Sequence, residues 1–79
     1  MNLRIISLKG VEYQGEAKSL NIKAKDGEIT ILPHHRPLIT LLKEGTAHIL
    51  GADDLKKDFP IRGGFLEMNK NGSLNVLID

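Results

Sequence analysis

Seventy-nine residues make one domain, 1–79, and a domain of that size buries only roughly 60–65 % of the surface its unfolded chain exposes. The absence of cysteine excludes a disulfide framework and a thiolate metal cluster, and points to an intracellular fold supported by partners. Eleven Lys and Arg against ten Asp and Glu leave a formal charge of +1, too little to hold a polyanion by counterion release, and Tyr13, Phe59 and Phe65, the only aromatics, are too few for a base-stacking surface.

The first nine residues carry one arginine and a short apolar run, with neither the length of a secretory core nor a small-residue cleavage site. Further on, Leu20, Ile22 and Ala24 alternate with Asn21, Lys23 and Lys25, which puts the apolar set on one face of a strand. Ile29 and Ile31 flank Thr30 in the same manner. Next comes Leu38-Ile39-Thr40-Leu41-Leu42, where apolar residues occupy both faces. Either the domain's own core covers both sides, or a partner covers one.

Ala47 and Ile49 alternate around His48, and Leu74, Val76 and Ile78 alternate with Ser73, Asn75 and Leu77. Between these runs lie Lys9-Gly10, Gln14-Gly15, Asp26-Gly27, Glu44-Gly45, Gly63-Gly64 and Asn71-Gly72. Asp-Gly and Asn-Gly suit two-residue turns with positive φ, so 17–32 and 65–78 read as hairpins. The polar stretch GADDLKKD, residues 51–58, reads as an exposed loop or hairpin tip. Its segment 52–57 is too short for a lasting helix. No apolar run approaches the roughly 20 residues of a membrane-spanning helix. The pattern predicts an all-β, flattened antiparallel sandwich or barrel of two sheets.

Two histidines and an arginine stand between prolines in ILPHHRPL. A metal site needs three or four converging ligands, and adjacent His34 and His35 leave an extended backbone on opposite sides. His48 and Glu28 would have to complete a set with one of them, and no motif fixes that distance. Ser7, Ser19 and Ser73 lack a nucleophile elbow. Pro33 and Pro37 fix φ near −65° and hold Leu32 and Arg36 extended. A segment so restrained loses little entropy on docking. Gly63-Gly64 predicts a bulge or tight corner rather than a phosphate loop.

Four blocks in order, LRIISLKGVEYQGEAKSLNI, DGEITILPHHRPLITLLKEG, IRGGFLEM and LNVLID, give a closer pointer. Over nearly its full length the chain resembles the N-terminal β-domain of the epsilon subunit of rotary F-type ATP synthases. The resemblance implies a sandwich of two five-stranded sheets, about ten short strands, without an active site or cofactor. It implies a central-stalk part that couples ion-driven rotation of the c-ring to the gamma shaft and catalytic head. It places the chain, itself soluble, peripherally on the inner, cytoplasmic face of an energy-transducing membrane.

Residue by residue, Asp26, Gly27 and Glu28 match the family's turn that faces the c-ring, and His35, Pro37, Leu38 and Thr40 match the segment along gamma. The family usually has Pro-Gly-His-Ala-Pro; His34 stands here in place of that glycine, Arg36 in place of that alanine, and Thr30 in place of a frequent glycine. The chain stops at Asp79, where the family continues into two helices, so neither helical inhibition nor a nucleotide site is expected in these 79 residues. Two other classes compete: a lipoyl- or biotinyl-type carrier domain modified on Lys70, and a metal-dependent enzyme built on His34 or His35 with His48 and Glu28.

Overall fold

In the computed structural model, which describes every residue from Met1 to Asp79, the alternating segments become eight strands and no helix. They are β1 (Asn2–Ser7), β2 (Gly10–Ala24), β3 (Gly27–Ile31), β4 (Leu38–Leu42), β5 (Gly45–Gly51), β6 (Lys56–Ile61), β7 (Gly64–Met68) and β8 (Ser73–Ile78). The all-β class matches the expectation. The count is eight rather than about ten: β2, at fifteen residues, serves both layers, which makes one layer of five strands and one of four instead of two of five.

The first half of β2 pairs with β1, Leu3 lying opposite Gly15 and Ile5 opposite Tyr13. After a register shift between Ala17 and Ser19 the second half pairs with β5 on one side and β3 on the other. A bulge bends its strand and increases its twist, so β2 turns from one layer into the next without breaking. Gln14-Gly15, which resembles a turn in the sequence, therefore lies inside a strand.

One layer runs β4-β7-β8-β1 and on to the first half of β2; the other holds β3, the second half of β2, β5 and β6. A bridge between Ala24 and Leu42 joins the layers at a corner. Every pairing is antiparallel except β1 with β8, where Leu3 meets Leu74 and Ile5 meets Val76 in parallel register. The result measures 26 × 24 × 20 Å.

The buried positions are the inward half of each alternation. Leu3, Ile5, Leu20, Ile31, Ala47, Leu66, Leu74 and Val76 are wholly shielded, and no polar or charged residue is buried. Such a core is continuous across both layers. Its stabilisation, at about 25 cal/mol per Å² of apolar surface removed from water, offsets the ordering of the chain.

The turns differ in detail from the two-residue expectation. Ala24 pairs with Gly27, so Lys25 and Asp26 are the central residues; neither has positive φ, and Gly27 takes φ +132° instead. In the β7–β8 turn the Gly72 N–H donates to the Asn69 carbonyl at 3.2 Å and the Asn69 N–H to the Ser73 carbonyl at 3.0 Å. With Gly72 at φ +83°, this is a three-residue loop closed by a left-handed glycine. The 51–58 stretch is a tight tip over 52–55, and residues 56–58 open β6.

Candidate functional site

The proline-braced segment is the first candidate. The His35 N–H donates to the Leu32 carbonyl at 3.1 Å, closing a four-residue turn with Pro33 and His34 at its centre. His34 has φ +69°, so the turn has type II character and wants glycine at that position. His35 places Nδ1 at 2.9 Å from the Arg36 carbonyl oxygen. His34, His35, Arg36 and Pro37 are all exposed. Pro33, His34 and His35 border an open, mainly polar cleft of about 380 Å³ with Asn69, Lys70 and Glu16 among its other walls.

Asp26 lies in the β2–β3 turn and Gly27 and Glu28 open β3, all three exposed. Glu28 opposes Lys23 across the ladder. The three form a compact acidic projection in which the short turn, rather than side-chain packing, sets the geometry.

Strand β4 presents two unlike faces. Leu38 and Thr40 are half-buried on the inward side with Leu42, and Leu38 packs on the core. Ile39 and Leu41 point outward and are 65 % and 54 % exposed. Of the residues matched to the gamma-lining segment, His35 and Pro37 thus lie at the surface while Leu38 and Thr40 back the strand from within.

Leu41 belongs to a longer feature. It lies opposite Phe65 of β7, Phe65 opposite Leu77 of β8, Leu77 beside Ile6 of β1, and Ile6 opposite Val11 of β2. An apolar row therefore crosses five strands on the outside of one layer, with Leu41, Phe65, Leu77 and Val11 exposed and Ile6 half-buried. Cross-strand neighbours on one face sit about 4.5–5.5 Å apart, so the row is contiguous. Contiguous exposed apolar surface marks interaction sites, whereas scattered apolar residues do not.

Sequence reading found the two-faced pattern at β4 and missed its continuation. The signal was present in Ile5-Ile6 and Val76-Leu77-Ile78, where an apolar residue occupies the outward position between inward ones. Only the strand register assembles them.

The remaining candidates stay apart. His48 Nδ1 lies 2.8 Å from Asp58 Oδ1 on β6, while Glu28 is at the start of β3 and His34 and His35 are on the β3–β4 connection. No three His, Asp or Glu side chains converge as metal ligands would. Asp54 is paired with Lys18, and Asp53 Oδ1 accepts from the Leu55 N–H at 3.1 Å to hold the tip. Lys70 is exposed in the β7–β8 turn.

Comparison with known proteins gives a consistent picture. The family model described as "ATP synthase, Delta/Epsilon chain, beta-sandwich domain" matches residues 1–79. The ATP synthase epsilon chain of Bordetella avium is 35 % identical over 79 residues, covering 100 % of this chain and 55 % of the relative. That of Bordetella parapertussis is likewise 35 % identical, with 100 % and 56 % covered. The chain thus spans about half the length of these relatives.

Among solved structures, a chain of the Euglena gracilis mitochondrial ATP synthase assembly of OSCP, F1 and c-ring superposes with a TM-score of 0.89 at 21 % identity, over 96 % of this chain and 48 % of that one. A chain of the Tetrahymena thermophila mitochondrial ATP synthase central stalk and c-ring gives 0.80 at 13 % identity, over 99 % and 62 %. Both share the fold.

Proposed function

Because the chain belongs to the family of β-sandwich domains of ATP synthase delta and epsilon chains, we propose that it works as a non-catalytic central-stalk component coupling c-ring rotation to the gamma shaft. The observation that carries the reading is the apolar row from Leu41 through Phe65, Leu77 and Ile6 to Val11, on a chain matched to this family from end to end. A sandwich with an apolar outer face and rigid ladders transmits force as a body, and it needs no reacting group to do so.

In this reading the gamma subunit lies along β4 and the proline-braced segment. Ile39 and Leu41 make the contact, His35 and Pro37 border it, and Leu38 and Thr40 hold the strand flat behind it. The turn of Asp26, Gly27 and Glu28 meets the polar loops of the c-ring. The chain takes its place on the inner, cytoplasmic face of an energy-transducing membrane through the complex, in a proton- or sodium-translocating enzyme whose chemistry other subunits perform. No helix is long and apolar enough to cross a membrane, consistent with attachment through partners.

The carrier reading loses its ground: it rested on Lys70 at a hairpin tip, and the family match over residues 1–79 accounts for that hairpin without a modified lysine. The test is copurification with the gamma subunit of the same complex. The wild-type chain is expected to copurify, and Ile39→Lys, whose charge is compatible with Glu67 opposite it, to lose at least tenfold of bound gamma while melting normally. A wild-type chain that fails to hold gamma overturns the proposal. Leu38→Asp is the wrong probe, since it would place a charge against the core.

A further inference from the structure

Beside the apolar row runs a second row on the same outward face. Glu67 of β7 lies opposite Asn75 of β8, Asn75 beside Arg4 of β1, and Arg4 opposite Gln14 of β2. Asn75 Nδ2 donates to Glu67 Oε1 at 3.4 Å, so the acid of this row is engaged by its amide neighbour.

Arg4 has no such partner. The ion pairs of the chain join the N-terminus to Glu16, Lys18 to Asp54, and His48 to Asp58; none includes Arg4. Its Nε is shielded from water and unbonded. It is the only buried side-chain nitrogen or oxygen left so. Orphaned donors of this kind are rare in native folds, because each costs free energy that one acceptor would return.

Arg4 is half-buried: its Nε is sealed within the fold, and the terminal nitrogens beyond it, which carry no ion pair, are the atoms that can meet a carboxylate end-on beside the exposed apolar row. We propose that Arg4 is the charged anchor of this face, and that the partner segment seated on it presents an Asp or Glu carboxylate to the guanidinium while its apolar side chains cover Leu77 and Ile6. The inference rests on the stalk reading for its occupant, a segment of the gamma shaft. It adds the chemistry by which that segment is aligned. The apolar row supplies non-directional attraction, and the single charge pair fixes register and orientation, which suits a joint that must carry torque without slipping.

The test titrates purified gamma subunit of the same complex against the wild-type chain, Arg4→Lys, Arg4→Met, Arg4→Glu and Leu77→Asp, with thermal melts to verify each fold. Arg4→Met is expected to weaken binding about 30-fold or more, the low end for truncating one member of a buried charge pair. Arg4→Glu should weaken it further, and Arg4→Lys less than either, because lysine keeps the charge but loses the planar fork. Binding by Arg4→Glu should return when an Asp or Glu of gamma, located by cross-linking to this face, is changed to Arg.

Two results separate the claims. If Leu77→Asp abolishes binding while Arg4→Met and Arg4→Glu bind as the wild type does, the anchor is overturned and the stalk reading stands. If wild type itself does not bind gamma, the stalk reading falls and takes the anchor with it.

Discussion

Single residues in this chain are most constrained where the backbone, not the side chain, sets the terms. His34 occupies φ +69° between Pro33 and His35, at the turn position where glycine pays no steric cost. His34→Gly is therefore expected to hold or raise stability by up to about 1 kcal/mol, and His34→Val to lower it by about 1–2 kcal/mol, both read from urea midpoints. A His34→Val domain as stable as wild type would show that the imidazole is not strained there. Gly64 is the opposite case. At φ +143° a Cβ on it would meet the Leu77 carbonyl oxygen at 2.0 Å, and backbone cannot yield as a flexible side chain does. Gly64→Ala is expected to cost at least about 2 kcal/mol by the same measurement. The sequence pointed to a corner at Gly63-Gly64, and only the ladder between β7 and β8 shows which of the two glycines is irreplaceable and why.

Among the elements, the half-buried strands were the legible part. Alternation at Leu20-Ile22-Ala24, Ala47-Ile49 and Leu74-Val76 names residues that are buried, because inward and outward positions differ by one step along a pleat. What stayed hidden has physical causes. Glycine at position 15 is a turn signal locally, yet Leu3 pairs opposite it, and tertiary pairing outweighs local propensity. The parallel meeting of β1 and β8 leaves no local mark, since it joins segments some seventy residues apart in the chain. Charge on Lys56, Lys57 and Asp58 disguised β6, which pairs only with β5; charge and Pro60 are what an edge strand uses to resist pairing with another chain. Opposite faces of β7 and β4 give a paired test of the site. Leu66, wholly buried, should cost about 2–5 kcal/mol when cut to Ala. Leu41, more than half exposed, should change stability by no more than about 0.5 kcal/mol as Leu41→Ser and yet weaken gamma binding. Equal losses from both would place Leu41 in the core and remove it from the docking face.

At the scale of the whole molecule, size and function meet in one quantity. A body of 79 residues without disulfides has a margin of only a few kcal/mol, and its outer apolar row gains nothing for the isolated fold because it stays in water. A partner that covers that row binds the native state and not the unfolded chain, so it adds stability by mass action, about 2.7 kcal/mol at a hundred times its dissociation constant. For a domain of this size each kcal/mol moves Tm by about 4–8 °C, so saturating gamma is expected to raise the melting temperature of this chain by roughly 10–20 °C. Ile39→Lys combined with Leu77→Thr should melt near the wild-type temperature alone and lose most of the increment when gamma is added. The comparison isolates the face, since both substitutions sit on outward positions and leave the shared core of Leu3, Leu66, Leu74 and Val76 untouched. An increment that survives the double variant would mean that gamma grips another surface, and the apolar row would lose its proposed role as the gamma contact.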